Sequence, residues 1–186
     1  MSSSFTPSVV GAFSARAISG DITGTAVPAG YIGEKIAATI TANTSTAGAS
    51  GINPEVDVAG ASITLSPGNW MLYYYGTVFQ SILASGGNLA DARLRITTSA
   101  NVHVANSATL SSNPYNGSST AWSMHKLHAC FVPVDISSAT TYKLRLQANF
   151  DGTTGSCRFL GDPASGTITG FTDSDAGAAF YAIRIA

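Results

Sequence analysis

Charge is the scarcest commodity in this chain. Lys, Arg, Asp and Glu make up 10% of 186 residues, and nine basic against ten acidic residues leave a formal net charge of −1. Nucleic-acid binding needs a basic stripe that displaces counterions from phosphates, so that class of partner is excluded. Cysteine is limited to Cys130 and Cys157. Neither belongs to a Cys-x-x-Cys, no Cys/His quartet has zinc spacing, and both lie in apolar strand-like runs, the setting of small buried free thiols, with one Cys130–Cys157 bridge as the alternative. No apolar run approaches the about 18 residues of a membrane-spanning helix. No Lys or Arg precedes Ala15-Arg16-Ala17, so a secretory signal is not expected there.

The apparatus of catalysis is equally thin. There is no Gly-x-Ser-x-Gly elbow, no phosphate-binding loop and no dinucleotide fingerprint. Histidine occurs only as His103, His125 and His128. In "MHKLH" the last two are three residues apart, which on a strand sends the imidazoles to opposite faces and prevents a shared metal. The close acidic pairs, Glu55/Asp57 and Asp173/Asp175, lie in Gly- or Pro-containing sequence where Asp typically bonds to its own turn. The expectation is a protein that is not an enzyme, with no cofactor and no bound metal.

What the chain has is apolar content, 45% of residues, spaced by Gly, Ser and Thr. That is too hydrophobic for a disordered chain and long enough for one sizeable core. From Tyr31 onward, runs of strand-forming residues alternate with turn signals, and no stretch shows helix caps with helical spacing. Strands are expected near 32–41, 60–66, 69–80, 92–98, 122–134, 141–150, 155–160 and 178–185. The fold class is all-β, and about eight strands suit an antiparallel jelly roll or similar sandwich. "TYKLRLQANF" and "ARLRITT" alternate cleanly, which predicts one wet face each. "DGTTG", Asp151 to Gly155, reads as a hairpin turn. The stretches 42–59, 81–91, 99–121 and 161–177 read as long connections, with 81–91 and 99–121 as variable contact surface.

One strand breaks the alternation. In "SPGNWMLYYYGTVF", Trp70, Leu72, Tyr74 and Val78 share one face and Met71, Tyr73, Tyr75 and Phe79 the other, so both faces call for cover. Low surface charge favours association, and aromatic residues on strands belong to cores or subunit interfaces more often than to sugar platforms. Trp70 is placed in the core, and Met71, Tyr73, Tyr75 and Phe79 in a subunit interface. Residues 1–30 carry Phe5, Val9, Val10 and Phe13 without any period, which describes an extended arm lying along a partner subunit or a different protein. Residues 31–186 then form the folded knob.

Three stretches carry a resemblance. "VPAGYIGEKI" (27–36) is similar to an opening Gly-x-x-Gly-Glu strand, "SITLSPGNWMLYYYGTVF" (62–79) to an Ile-x-Leu-x-Pro-Gly-x-Trp signature, and "TTYKLRLQANF" with "FYAIRIA" to two closing strands. Together they resemble small β-rich knob domains on the virions of tailed bacteriophages, over most of residues 27–186. The resemblance implies a homotrimeric jelly-roll knob on the particle surface, decorating the head or tipping a fibre. The implied partners are further copies of itself and other virion proteins such as the major capsid protein, the arm making the attachment. The alternative is a tail protein that recognises host surface glycan through 81–91 and 99–121.

Overall fold

The structure, a computed structural model, describes residues 29–48, 51–82, 89–114, 122–151, 155–161, 167–168, 171–172 and 177–186. The arm residues Phe5, Val9, Val10 and Phe13, and the pair Asp173/Asp175, lie outside the described residues. The strands are β1 (Lys35–Ala37), β2 (Thr44–Gly48), β3 (Gly51–Ile52), β4 (Val56–Leu65), β5 (Gly68–Ile82), β6 (Leu89–Thr98) and β7 (Thr109–Pro114). They continue with β8 (Trp122–Ile136), β9 (Thr140–Asp151), β10 (Gly155–Leu160), β11 (Thr167–Ile168), β12 (Phe171–Thr172) and β13 (Ala179–Arg184).

Two antiparallel sheets form a jelly-roll-like sandwich. In the first sheet, β5 pairs with β8 along its whole length on one side. On its other side it pairs with β13 at Trp70–Tyr75 and then with β10 at Thr77–Ile82. β1 extends β13, and β2 extends β10. In the second sheet β9 is central, flanked by β6 on one side and by β4 then β3 on the other, with β7 outside β6. A short ribbon of β11 and β12 stands apart.

The core lies between the sheets because each long strand turns its apolar alternation inward. Trp70, Leu72, Tyr74 and Val78 of β5 meet Leu94 and Ile96 of β6 and Tyr142, Leu144, Leu146 and Phe150 of β9, all buried. Burying each such side chain contributes about 1.5–3 kcal/mol. At Gly76 the inner face of β5 carries no side chain, and a Cβ there would strike the ring of Phe159 on β10. That gap lets β10 take over from β13 beside β5.

Each of the eight expected strands is present, and three expectations are corrected. "DGTTG" does not close a hairpin: β9 belongs to the second sheet and β10 to the first, so the chain crosses between layers there. The stretches 42–59, 99–121 and 161–177 are not simple connections, since they contain β2, β3, β7, β11 and β12. β2 ("TSTAG") and β7 ("TLSSNP") have no apolar alternation to betray them, and their extended backbone comes from pairing with β10 and β6. The first strand is also shorter than expected, Lys35–Ala37.

Candidate interaction surface

The stretches that carried the resemblance meet at one corner. Arg184, at the end of β13, lies with its guanidinium 4.4 Å from the centre of the Trp70 ring. Its Nε donates to Glu34 Oε2 (3.1 Å), Nη1 to the Pro67 carbonyl (2.9 Å) and Nη2 to Ser66 Oγ (2.6 Å). Trp70 Nε1 donates back to the Ser66 carbonyl at 3.0 Å. Gly68 has φ +140°, and a Cβ there would collide with Nη1 of Arg184. The Pro-Gly-x-Trp turn is therefore shaped around a buried guanidinium, and Gly33-Glu34 supplies its counter-charge.

The outward face of β5 holds Met71, Tyr73, Tyr75 and Phe79, the four residues that alternate with its buried set. Register brings further apolar groups beside them: Tyr73 is opposite Phe131 of β8 and Tyr181 of β13, and Phe79 is opposite His125. Tyr73 stacks on Tyr181 with ring centres 5.0 Å apart and 10° between planes, and Phe131 lies 6.3 Å away. Phe79 packs at 4.9 Å against His125. The cations of this face are laid over rings, Lys35 on Tyr181 at 4.6 Å and Arg158 on Phe79 at 5.5 Å. Tyr75 remains 43% exposed, Phe131 69% and Leu127 71%. Between the rings of Tyr73, Tyr75, Phe131 and Tyr181 lies an open hollow of about 420 Å³. Leu127, Phe131 and Tyr181 escape a reading of single strands, because only the pairing register places them here.

His125 and His128 fall on opposite faces of β8, as the spacing required. His128 is buried between the sheets, with Thr109 Oγ1 2.7 Å from Nδ1 and Ser111 Oγ 2.8 Å from Nε2. Ser111 donates its only proton to Gln80 Oε1 (3.1 Å), so it accepts from His128 Nε2–H, and Nδ1 accepts from Thr109. The same Thr109 touches the Tyr74 hydroxyl at 2.9 Å, and that hydroxyl also reaches the carbonyls of Leu94 and Ser107. Burial pushes the His128 pKa down and the Tyr74 pKa well up, which keeps both neutral. This polar seam ties β7 to β8. Both cysteines are free thiols, and burial pushes Cys157 up to about 12.

No family model matches the chain, and no curated protein does. Among solved structures it is similar to a chain of the infectious bursal disease virus Gt strain, at 10% identity and TM-score 0.37, covering 83% of this chain and 38% of that one. It is also similar to a chain of the Gx strain, at 11% identity and TM-score 0.33, covering 82% and 36%. This chain thus spans well under half the length of either.

The outer face of the second sheet is built differently. Glu55 and Asp57 are not turn residues bonding to their own backbone, which corrects the sequence-based reading. Glu55, with 8% of its side chain exposed, pairs with Arg93, Arg95 and Arg145, and its Oε2 lies 3.8 Å from His103. Asp57 pairs with Lys143 at 2.8 Å and Arg145 at 2.9 Å. The carboxylates face cations rather than each other, the arrangement of an ion network and not of a hydrolytic pair. Among the described residues, no group of three or more His, Cys, Asp or Glu is placed to hold a metal.

Proposed function

We propose that this chain is a structural protein of a virus particle, of the decoration, cement or head-fibre kind, displayed as a homotrimer on the particle surface. Its partners are copies of itself and a virion protein such as the major capsid protein, with residues 1–30 as the attachment arm.

The observation that carries this reading is the corner at Arg184. Short turn motifs recur by chance in β-sandwiches, but here Gly33-Glu34, Ser66-Pro67-Gly68, Trp70 and Arg184 come from three distant stretches and form one hydrogen-bonded unit. Motifs that depend on each other physically are a firmer basis for the resemblance than motifs that merely co-occur. Labelled antibody against the knob, imaged on purified particles, tests the reading. Regular labelling of the particle surface is expected, and particles that lack the protein overturn it.

One observation favours recognition of host glycan. A trough of about 150 Å³ on the second sheet is lined by Asp91, Arg93, Gln147 and Asn149 between exposed Ile52 and Leu110. It lies where β6 and β7 border 81–91 and 99–121. Binding of the purified protein to host cell-wall glycan, lost in Asp91→Ala, is the corresponding test.

A further inference from the structure

We infer that the outer face of the first sheet packs against the same face or its margin on a second copy of this chain, with Leu127 of one copy entering the ring-lined hollow of the other. This rests on the virion reading only for its biological setting; the physical case is separate.

Size is the first argument. From Met71 to Phe79 the apolar heart runs about 27 Å along β5, and β8 and β13 widen it to about 15 Å, roughly 400 Å² in plan. Patches of about 300–600 Å² on a monomer commonly mark a contact site. The whole face, with β5 about 50 Å long, approaches the about 800 Å² that each partner contributes to a standard interface. Apolar centre and polar margin also match the usual anatomy, rich in Tyr, Phe and Met with little charge at the centre.

The nature of the partner follows from shape and charge. Knob and hollow occur on one face: Leu127 projects from β8 four residues before Phe131, which forms part of the hollow's wall. A surface that carries both halves of a fit can be met by a second copy of this chain, whether the copies pair about a twofold axis or follow one another around a ring. Among the described residues, Lys35 and Arg158 of this face are drawn onto Tyr181 and Phe79, and the net charge of the chain is −1, so copies meet with little repulsion. Joining by the edge is discouraged instead. β8 is an outer strand, and it carries Pro133, which lacks an N–H, and the exposed charge of Lys126 on the side turned toward the other sheet.

The test is sedimentation or light scattering of the full chain across a concentration series, comparing wild type with Leu127→Arg, with Phe131→Arg and with Leu110→Arg on the other sheet. All three side chains are about 70% exposed or more, so the variants should keep the wild-type circular dichroism. Leu127→Arg and Phe131→Arg should each raise the dissociation constant at least about thirtyfold, the effect of losing an interface anchor, while Leu110→Arg leaves it unchanged. Unchanged assembly in both face variants overturns this inference and leaves the virion reading standing. A wild type that is monomeric at every concentration overturns it as well. Intact self-association in a protein absent from particles upholds this inference and defeats the virion reading.

Discussion

The guanidinium of Arg184 lies over the ring of Trp70, 4.4 Å from its centre, and the same group is the counter-charge of Glu34. A charge taken out of water needs compensation on every side, and here the ring supplies its negative face while Glu34, Pro67 and Ser66 accept the N–H groups. The signature turn is consequently a binding site for the chain's own C-terminal strand.

Removing one member should expose the strength of that arrangement. Glu34→Gln leaves the buried guanidinium uncompensated and should lower stability by about 3–5 kcal/mol. Trp70→Ala should cost about 3–5 kcal/mol through lost burial, with the lost cation–ring contact added. Chemical denaturation of each variant checks both figures. An unchanged unfolding midpoint for Trp70→Ala would be the behaviour of a surface sugar platform.

Gly76→Ala should destabilise the knob by about 1–3 kcal/mol, because the added methyl meets Phe159 where β13 gives way to β10. Pairing it with Phe159→Leu should recover part of the loss. Thermal melting of the two single variants and the double reads out the coupling.

Acid should weaken the seam between β7 and β8. The folded His128 binds a proton less readily than the unfolded one, so its contribution is complete above pH about 6.5 and declines as pH falls below that value. The slope due to this residue is at most about 1.4 kcal/mol per pH unit. Denaturation series between pH 7.5 and 5.5 should show the loss in wild type and a flatter profile in His128→Gln, which keeps a polar group for Thr109 and Ser111. Equal slopes in the two proteins would rule out the buried neutral imidazole.

Deleting residues 1–28 should leave melting and self-association nearly intact while abolishing incorporation into particles. Phe5, Val9, Val10 and Phe13 have no sequence period that would let them bury one another, and under the proposed attachment a partner surface is where they would gain cover. Truncated protein at wild-type occupancy on particles would shift attachment to the knob, and failure to fold would make the arm part of the core.

How much of this was legible depended on the kind of signal. β6 and β9 were plain, because Leu94/Ile96 and Leu144/Leu146 alternate with arginines and lysine that face water or the Glu55 network. β2 and β7 were not: their inward groups include Thr44, Thr109 and Ser111, whose inward placement is rewarded by hydrogen bonds rather than by transfer from water. The turn "DGTTG" marks a reversal of direction but says nothing of which sheet the next strand joins. Half of the proposed contact face could be read from β5 alone. The other half, Leu127 and Phe131, sits in "HKLHACFVP", where the neighbouring His and Lys disguise an apolar face until register sets it beside Tyr73.

The pairing of β1 with β13 and of Glu34 with Arg184 spans 150 positions. A ribosome adding residues in order makes Glu34 long before its partner exists, so the sandwich has no closed edge on that side until β13 is made. Closure of this kind is slow and leaves sheet margins exposed while it waits. The corner around Trp70 forms only once β13 is made, so a nascent chain lacks its finished first sheet, and with it the completed aromatic face, until synthesis has passed Arg184.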